Sequence, residues 1–187
     1  MAAAVLAGAG SAAVWTFGRD LVSASGGLGS AASTGFWTLL GAAGVAGALA
    51  GAAVDRWSVS RTWIVLAALL AASTALLGAF PGTLAVAFGC AAVFGGSYVA
   101  LSGVLIVWSR QLQATNPAGA TAILFIALAA GQALGSVGLG SIADAAGSPT
   151  AFAAAATAAL LSCIGLLSRP TTSKHPHARP ASPCSVP

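Results

Sequence analysis

The chain has 187 residues, of which 58% are hydrophobic and 5% are charged, with a formal net charge of +4. A soluble domain carries roughly a quarter of its residues as charges, so this chain lacks the material for a water-facing surface. Its 7 Lys and Arg residues are too scattered to make a phosphate-contacting surface, which sets nucleic acid aside as a partner.

Six apolar runs follow one another: Ala2–Val22, Ala31–Val54, Thr62–Phe80, Thr83–Trp108, Ala118–Ile142 and Thr150–Leu167. Runs of about 20 residues match a hydrocarbon core of about 30 Å. The predicted fold is therefore an all-α integral membrane protein with six transmembrane helices, because a helix satisfies its own backbone in lipid. Arg19 and Asp20 interrupt the first run, and no basic region precedes Ala2 as a signal peptide would want. Phe80-Pro81-Gly82 and Ser148-Pro149-Thr150 predict tight reversals, and Asn116-Pro117 predicts a helix start. Residues 1–168 are read as one six-helix domain.

Beyond it, residues 169–187 change to a polar, proline-broken composition and are read as a disordered cytoplasmic tail. His175 and His177 in that tail lack a third ligand, so no metal site is expected. Cys90 and Cys163 lie in apolar runs and Cys184 in the tail, giving no disulfide framework. If the chain starts inside, Arg56, Arg61, Arg110, Arg169, Lys174 and Arg179 all face the cytoplasm and Arg19 alone lies toward the other side. That asymmetry predicts both termini cytoplasmic, and a basic tail beside anionic lipid favours the same orientation.

Small residues indicate how the helices meet. Gly41, Gly44, Gly47 and Gly51 in the second run and Gly131, Gly135 and Gly138 in the fifth recur at three- or four-residue spacing. Lipid supplies little hydrophobic drive for association, so such series let backbones approach for van der Waals contact. A fixed seam and a sliding one both remain open. Gly51 and Asp55, four apart, share a face of any helix that persists to the span boundary. There Asp55 has two tasks open to it, pairing with Arg56 or Arg61, or facing the N-terminus of a neighbouring helix as a latch. The other reading is a hydrated loop whose charges only mark topology.

Gly51, Asp55 and Arg56 form a G-x-x-x-D-R pattern between two spans, with Arg61 beyond. This resembles the loop signature of the major facilitator superfamily, whose transporters have two six-helix halves. The chain departs from that pattern at Ser58, where glycine is usual, and at Val59 and Ser60, where basic residues are common. Those departures fit the weaker copy in the second half. The stretches WTFGRDLVSASGGLG, WTLLGAAGVAGALAGAAVDRW and GQALGSVGLGSIADAAGSPTAF occur in the order of a C-terminal half. They are most similar to the bacterial YbfB/YjiJ-like branch. Gly135-Ser136 stands where that branch often has glycine followed by proline.

The resemblance implies the seventh to twelfth helices of a transporter, built from two inverted three-helix repeats, with the substrate passage between halves. Partners would then be a small-molecule substrate, a coupling proton, the lipid bilayer, and either a missing N-terminal half or a second copy. A fragment, a truncated product and a genuine six-helix protein all remain open. The implied function is secondary active transport of a small solute by alternating access in the bacterial inner membrane. The alternative is a six-helix structural or assembly protein without transport of its own. Arg19 and Asp20 are the substrate-passage candidates; Arg19 would bind an anionic group or pair with an acidic residue of the other half, or else snorkel to water beside Asp20. Gly51, Asp55, Arg56 and Arg61 are the cytoplasmic gating candidates. No nucleotide-binding loop and no acid/base constellation occurs, so neither an enzyme nor a cofactor is expected.

Overall fold

The computed structural model describes residues 1–25, 27 and 29–164. Among the described residues the structure is helical throughout: α1 (Ala2–Asp20), α2 (Ser30–Trp57), α3 (Val59–Ala79), α4 (Leu84–Leu112), α5 (Pro117–Ala146) and α6 (Ser148–Leu161). Four of them, α2 to α5, are long and apolar enough to cross a membrane. The chain is thus an all-α, multi-span membrane protein. The 19 residues of α1 would reach about 28 Å, and α6 is a shorter apolar helix. The tail from 169 and the end of the sixth run lie outside the described residues.

Each apolar run holds one helix, yet α2, α4 and α5 continue past their runs to include Arg56, Arg110 and Asp144. Helical hydrogen bonds are internal to the segment, so the backbone need not change where the side chains become polar. At α1 the order is reversed, because the α-helix stops at Asp20 and a π-turn, Leu21–Ser25, follows. Asn116 caps α5 as its sequence suggests, its Oδ1 accepting from the Gly119 amide at 3.0 Å. The reversal expected at Ser148-Pro149-Thr150 is corrected by one residue. Gly147 alone makes the link, and Pro149 sits in the first turn of α6, where a missing amide hydrogen costs nothing.

Two links have the same form. Ser58 joins α2 to α3 with φ 85° and ψ 156°, and Gly147 joins α5 to α6 with φ 85° and ψ 159°. Gly51, Asp55 and Ser58 repeat the spacing of Gly140, Asp144 and Gly147. Because successive helices alternate in direction, Ser58 lies at the end of the bundle that holds Met1 and Gly147 at the opposite end.

The packing follows the same repeat. Along α1 and α5, Val5 meets Gly131 and Ala9 meets Gly135, so the two run parallel. Along α2 and α4, Leu40 meets Gly95, Gly44 and Gly47 meet Val99, and Ala50 meets Gly103, which is again a parallel pair. At the back, α3 and α6 run antiparallel, with Gly78 against Phe152 and the Trp63 indole N–H donating to Ser162 Oγ at 3.2 Å. Exchanging the first three helices for the last three maps α1 on α5 onto α4 on α2, and α1 on α6 onto α4 on α3, each pair in contact. Two three-helix units are therefore related by an approximate two-fold exchange with inverted direction.

Glycine makes the parallel seams possible. A Cβ on Gly131 would fall on the Val5 carbonyl, and one on Gly95 on the Leu40 carbonyl. Gly44 and Gly47 lie in a 3-10 stretch, Gly44–Leu49, that interrupts the α-helical turns of α2. Gly41, Gly51 and Gly138 are a correction to the spacing argument: a Cβ at any of them meets nothing within 4 Å among the described residues. Their helices turn those positions away from every other helix of this chain.

Buried hydroxyls mostly return to carbonyls of their own helix, as Ser73 and Thr74 do to Leu70, which keeps their cost in lipid low.

Candidate functional site

Gln132 is the sole amide side chain within its apolar run, near the middle of the 30-residue α5. Tyr98 is at the middle of the 29-residue α4. Each lies about 21 Å along its helix from either end, at a depth where an unpaired amide costs several kcal/mol. Gln132 Nε2 donates to Tyr98 Oη at 2.9 Å and to Ser11 Oγ at 3.2 Å. Ser11 in turn donates to the Gly8 carbonyl at 2.8 Å, which ties α1, α4 and α5 together. One turn further along α5, the Ser136 hydroxyl donates to the Gln132 carbonyl at 2.9 Å. Thr16 is therefore the donor in the 2.8 Å contact between Thr16 Oγ1 and Ser136 Oγ.

Aromatic rings surround these groups. The ring of Trp15 lies 5.3 Å from Tyr98, 5.6 Å from Trp37 and 6.1 Å from Phe94. Phe94 and Tyr98, one turn apart on α4, are stacked at 6.0 Å. Edge and offset ring contacts of this kind contribute about 0.5–1.5 kcal/mol each beyond their buried area. Trp15 is 39% exposed, and Trp37, Tyr98 and Gln132 are half-buried, so the cluster is open on one side. Among the described residues, Gln132 Oε1 and the indole N–H groups of Trp15 and Trp37 have no hydrogen-bond partner. The Tyr98 hydroxyl accepts from Gln132, and its own hydrogen has no acceptor among the described residues.

Arg19 and Asp20, the passage candidates, are both exposed at the end of α1. Arg19 follows Trp15 by four residues and Ser11 by eight, a stripe on one face of α1, and it is exposed. Asp20, one turn beyond Thr16, borders a cleft of about 120 Å³ with Phe17, Leu21, Ala143, Ser148, Ala151 and Phe152. Arg19 therefore continues the stripe of Ser11 and Trp15, and Asp20 continues that of Thr16 at the border of α1, α5 and α6.

Gly51, Asp55, Arg56 and Arg61 lie toward the Met1 end, far from the cluster. The segment read as a gating loop is helix on both sides of Ser58. Asp55, Arg56 and Arg61 are exposed, and Asp55 makes no ion pair with either arginine among the described residues. Neighbours on a helix diverge by about 100°, which carries Arg56 away from Asp55. Thr62, which the motif does not include, braces this link, its Oγ1 lying 2.8 Å from the Ser58 carbonyl and 3.2 Å from that of Ala53. Trp57, Arg61, Ile64 and Val65 line a shallow groove beside it, a pairing of ring and cation suited to a membrane interface.

Sequence reasoning missed the cluster itself. A single glutamine in the middle of an apolar run was the available signal for Gln132; nothing local marks Tyr98 or Ser11, which lie 34 and 121 residues away from it. Among the described residues no three His, Cys, Asp or Glu side chains converge; the cluster offers hydrogen bonds and ring faces. Comparison with protein-family models, curated proteins and solved structures returns no match for this chain.

Proposed function

We propose that this chain is one half of a secondary active transporter of the major facilitator type, moving a small solute by alternating access. The observation that carries the reading is the Gln132 cluster, a polar and aromatic surface placed at mid-depth and open on one side. Solute sites of such transporters lie near the bilayer midplane at the interface of repeats. The inverted repetition of three helices supports the same reading, as does the recurrence of Gly51, Asp55 and Ser58 in Gly140, Asp144 and Gly147. Only 28% of the apolar windows of α2 and α5 is buried, against 50% in α3 and α4, which leaves that flank free for a second six-helix unit. That unit is a preceding half or a second copy.

In this reading the chemistry is reversible binding, with no covalent bond made and no cofactor. A solute or proton gradient supplies direction. Both termini face the cytoplasm of a bacterial inner membrane, and Asp55 and Arg56 sit at the cytoplasmic end, where the two units part and close.

Single cysteines at Thr16 and Ser136, in a chain whose native cysteines are replaced by serine, test for a watery passage. A membrane-impermeant thiol reagent should modify both, and should not modify a cysteine at Leu69, which is 43% exposed at the middle of α3 on the back of the bundle. Equal inertness of all three would refute the passage. Modification at Thr16 and Ser136 without solute uptake into proteoliposomes would favour a structural protein.

A further inference from the structure

We infer that the uncovered face of α3 holds a phospholipid with an anionic headgroup, its phosphate at Arg61 and its acyl chain running down the helix to the groove between α3 and α4. This requires only that the helices lie in a membrane and does not depend on transport.

One face of α3 is free of the other helices along most of its length. Arg61, Val65, Leu69, Ala72 and Leu76 recur at three or four residues, and all are exposed. Two hollows lie on that face. At the Met1 end, Trp57, Arg61, Ile64 and Val65 line the shallow groove, of about 340 Å³. Deeper in, Leu69, Ala72 and Leu76 line a second groove with Val86, Cys90 and Val93 of α4. Ser73 on its wall already donates its hydroxyl to the Leu70 carbonyl at 2.9 Å, so that hydroxyl needs no polar occupant.

Depth matches these hollows to the parts of a lipid. The 21 residues of α3 span about 31 Å, close to a hydrocarbon core of about 30 Å, so the ends of α3 fall at its two boundaries. Arg61 lies about 3 Å along α3 and Val65 about 9 Å. The guanidinium therefore reaches headgroup level, where an indole such as Trp57 also settles, and Ile64 and Val65 lie beside the upper acyl chain. Leu69, about 15 Å along α3, marks the midplane where a chain from that leaflet ends. There the second groove opens, between Leu69 and Val93.

Charge selects the headgroup. Among the described residues, the formal charges at the Met1 end are the terminal amine, Arg56, Arg61, Arg110 and Asp55. Arg61 is the one charged side chain on the wall of the groove. Asp55 precedes Trp57 by two residues of α2, about 200° of rotation, which carries the carboxylate to the far side of that helix. A guanidinium takes a phosphate through paired hydrogen bonds. Phosphatidylcholine brings an ammonium group beside its phosphate, so the unbalanced charge of Arg61 favours a lipid without one.

The purified full chain is reconstituted in phosphatidylcholine nanodiscs with a trace of phosphatidylglycerol or phosphatidylcholine bearing a photoreactive group at the acyl-chain end, and crosslinked residues are mapped by mass spectrometry. The phosphatidylglycerol probe should label residues 65–72 and Val93 about fivefold more than the phosphatidylcholine probe, the attraction of one arginine to anionic lipid. Arg61→Gln, at an exposed position, should remove the preference and leave phosphatidylcholine labelling unchanged. Arg110→Gln removes an exposed charge at the same end but off the groove wall, and should keep the preference. Val65→Trp, which fills the groove, should lower labelling by both lipids.

Equal labelling by the two probes, a preference that survives Arg61→Gln, an equal loss in Arg110→Gln, or unchanged labelling in Val65→Trp would each overturn the inference. So would the absence of lipid labelling on this face, the result expected if a second copy of the chain covers it.

Discussion

Gly131 and Gly138 lie on the same helix in the same small-residue series, yet adding one methyl group should have opposite effects at the two. In Gly131→Ala the new Cβ would sit 2.7 Å from the Val5 carbonyl carbon and 2.9 Å from its Cα. Carbon atoms rest at about 3.5–4.0 Å, so α1 and α5 must part by roughly 1 Å. The whole parallel seam would loosen, including Gly8 against Leu128 and Gly135 against Ala9. Overpacking costs about 1–3 kcal/mol, of which better helix propensity returns up to about 1 kcal/mol. Gly138→Ala meets nothing within 4 Å and keeps only the propensity gain, about 0.5–1 kcal/mol. The two variants should therefore differ by about 2 kcal/mol in stability. SDS titration of the purified chain in mixed micelles, followed by circular dichroism, reads this as opposite shifts of midpoint. Equal midpoints, or a larger loss at Gly138, would refute the assignment of the seam.

Ser58→Gly should stabilise the chain by about 1 kcal/mol, because φ 85° is a region that costs a non-glycine residue about 1–3 kcal/mol; an unchanged midpoint in the same titration would contradict this. Gly147→Ala should be destabilising by a similar amount for the same reason. Gln132→Leu removes two cross-helix bonds worth about 0.6 kcal/mol each in a bilayer, so a loss of about 1 kcal/mol is expected together with loss of uptake; full uptake would exclude Gln132 from the site. Asp55→Asn should leave membrane abundance unchanged and slow uptake, and wild-type rates would remove its gating role. A single cysteine beside Arg61 should react only from the cytoplasmic side, and periplasmic labelling would invert the topology.

Length and hydropathy already divide this chain into its helices, because a backbone in lipid must satisfy its own hydrogen bonds and the apolar run is a local property of the chain. Asn116-Pro117 and the glycine departure at Ser58 are local as well, although the strain at Ser58 becomes visible only in its φ of 85°. Glycine spacing names a face that could pack closely without saying what it meets. Gly44 and Gly47 reach Val99 while Gly41, on the same series, reaches nothing. The parallel pairing of α1 with α5 and of α2 with α4 was not legible, since neither pair is adjacent in sequence and similar small residues occur on several helices. Nor was the meeting of Ser11, Tyr98 and Gln132, which depends on three helices stopping at one depth and in one rotation. Arg19 and Asp20 are neighbours in the chain but fall on the stripes of Trp15 and Thr16 respectively, because one residue along a helix is about 100° of rotation. Local chemistry decides that these segments are helices in a membrane; relative depth and rotation, which only the packed bundle sets, decide which side chains form a site.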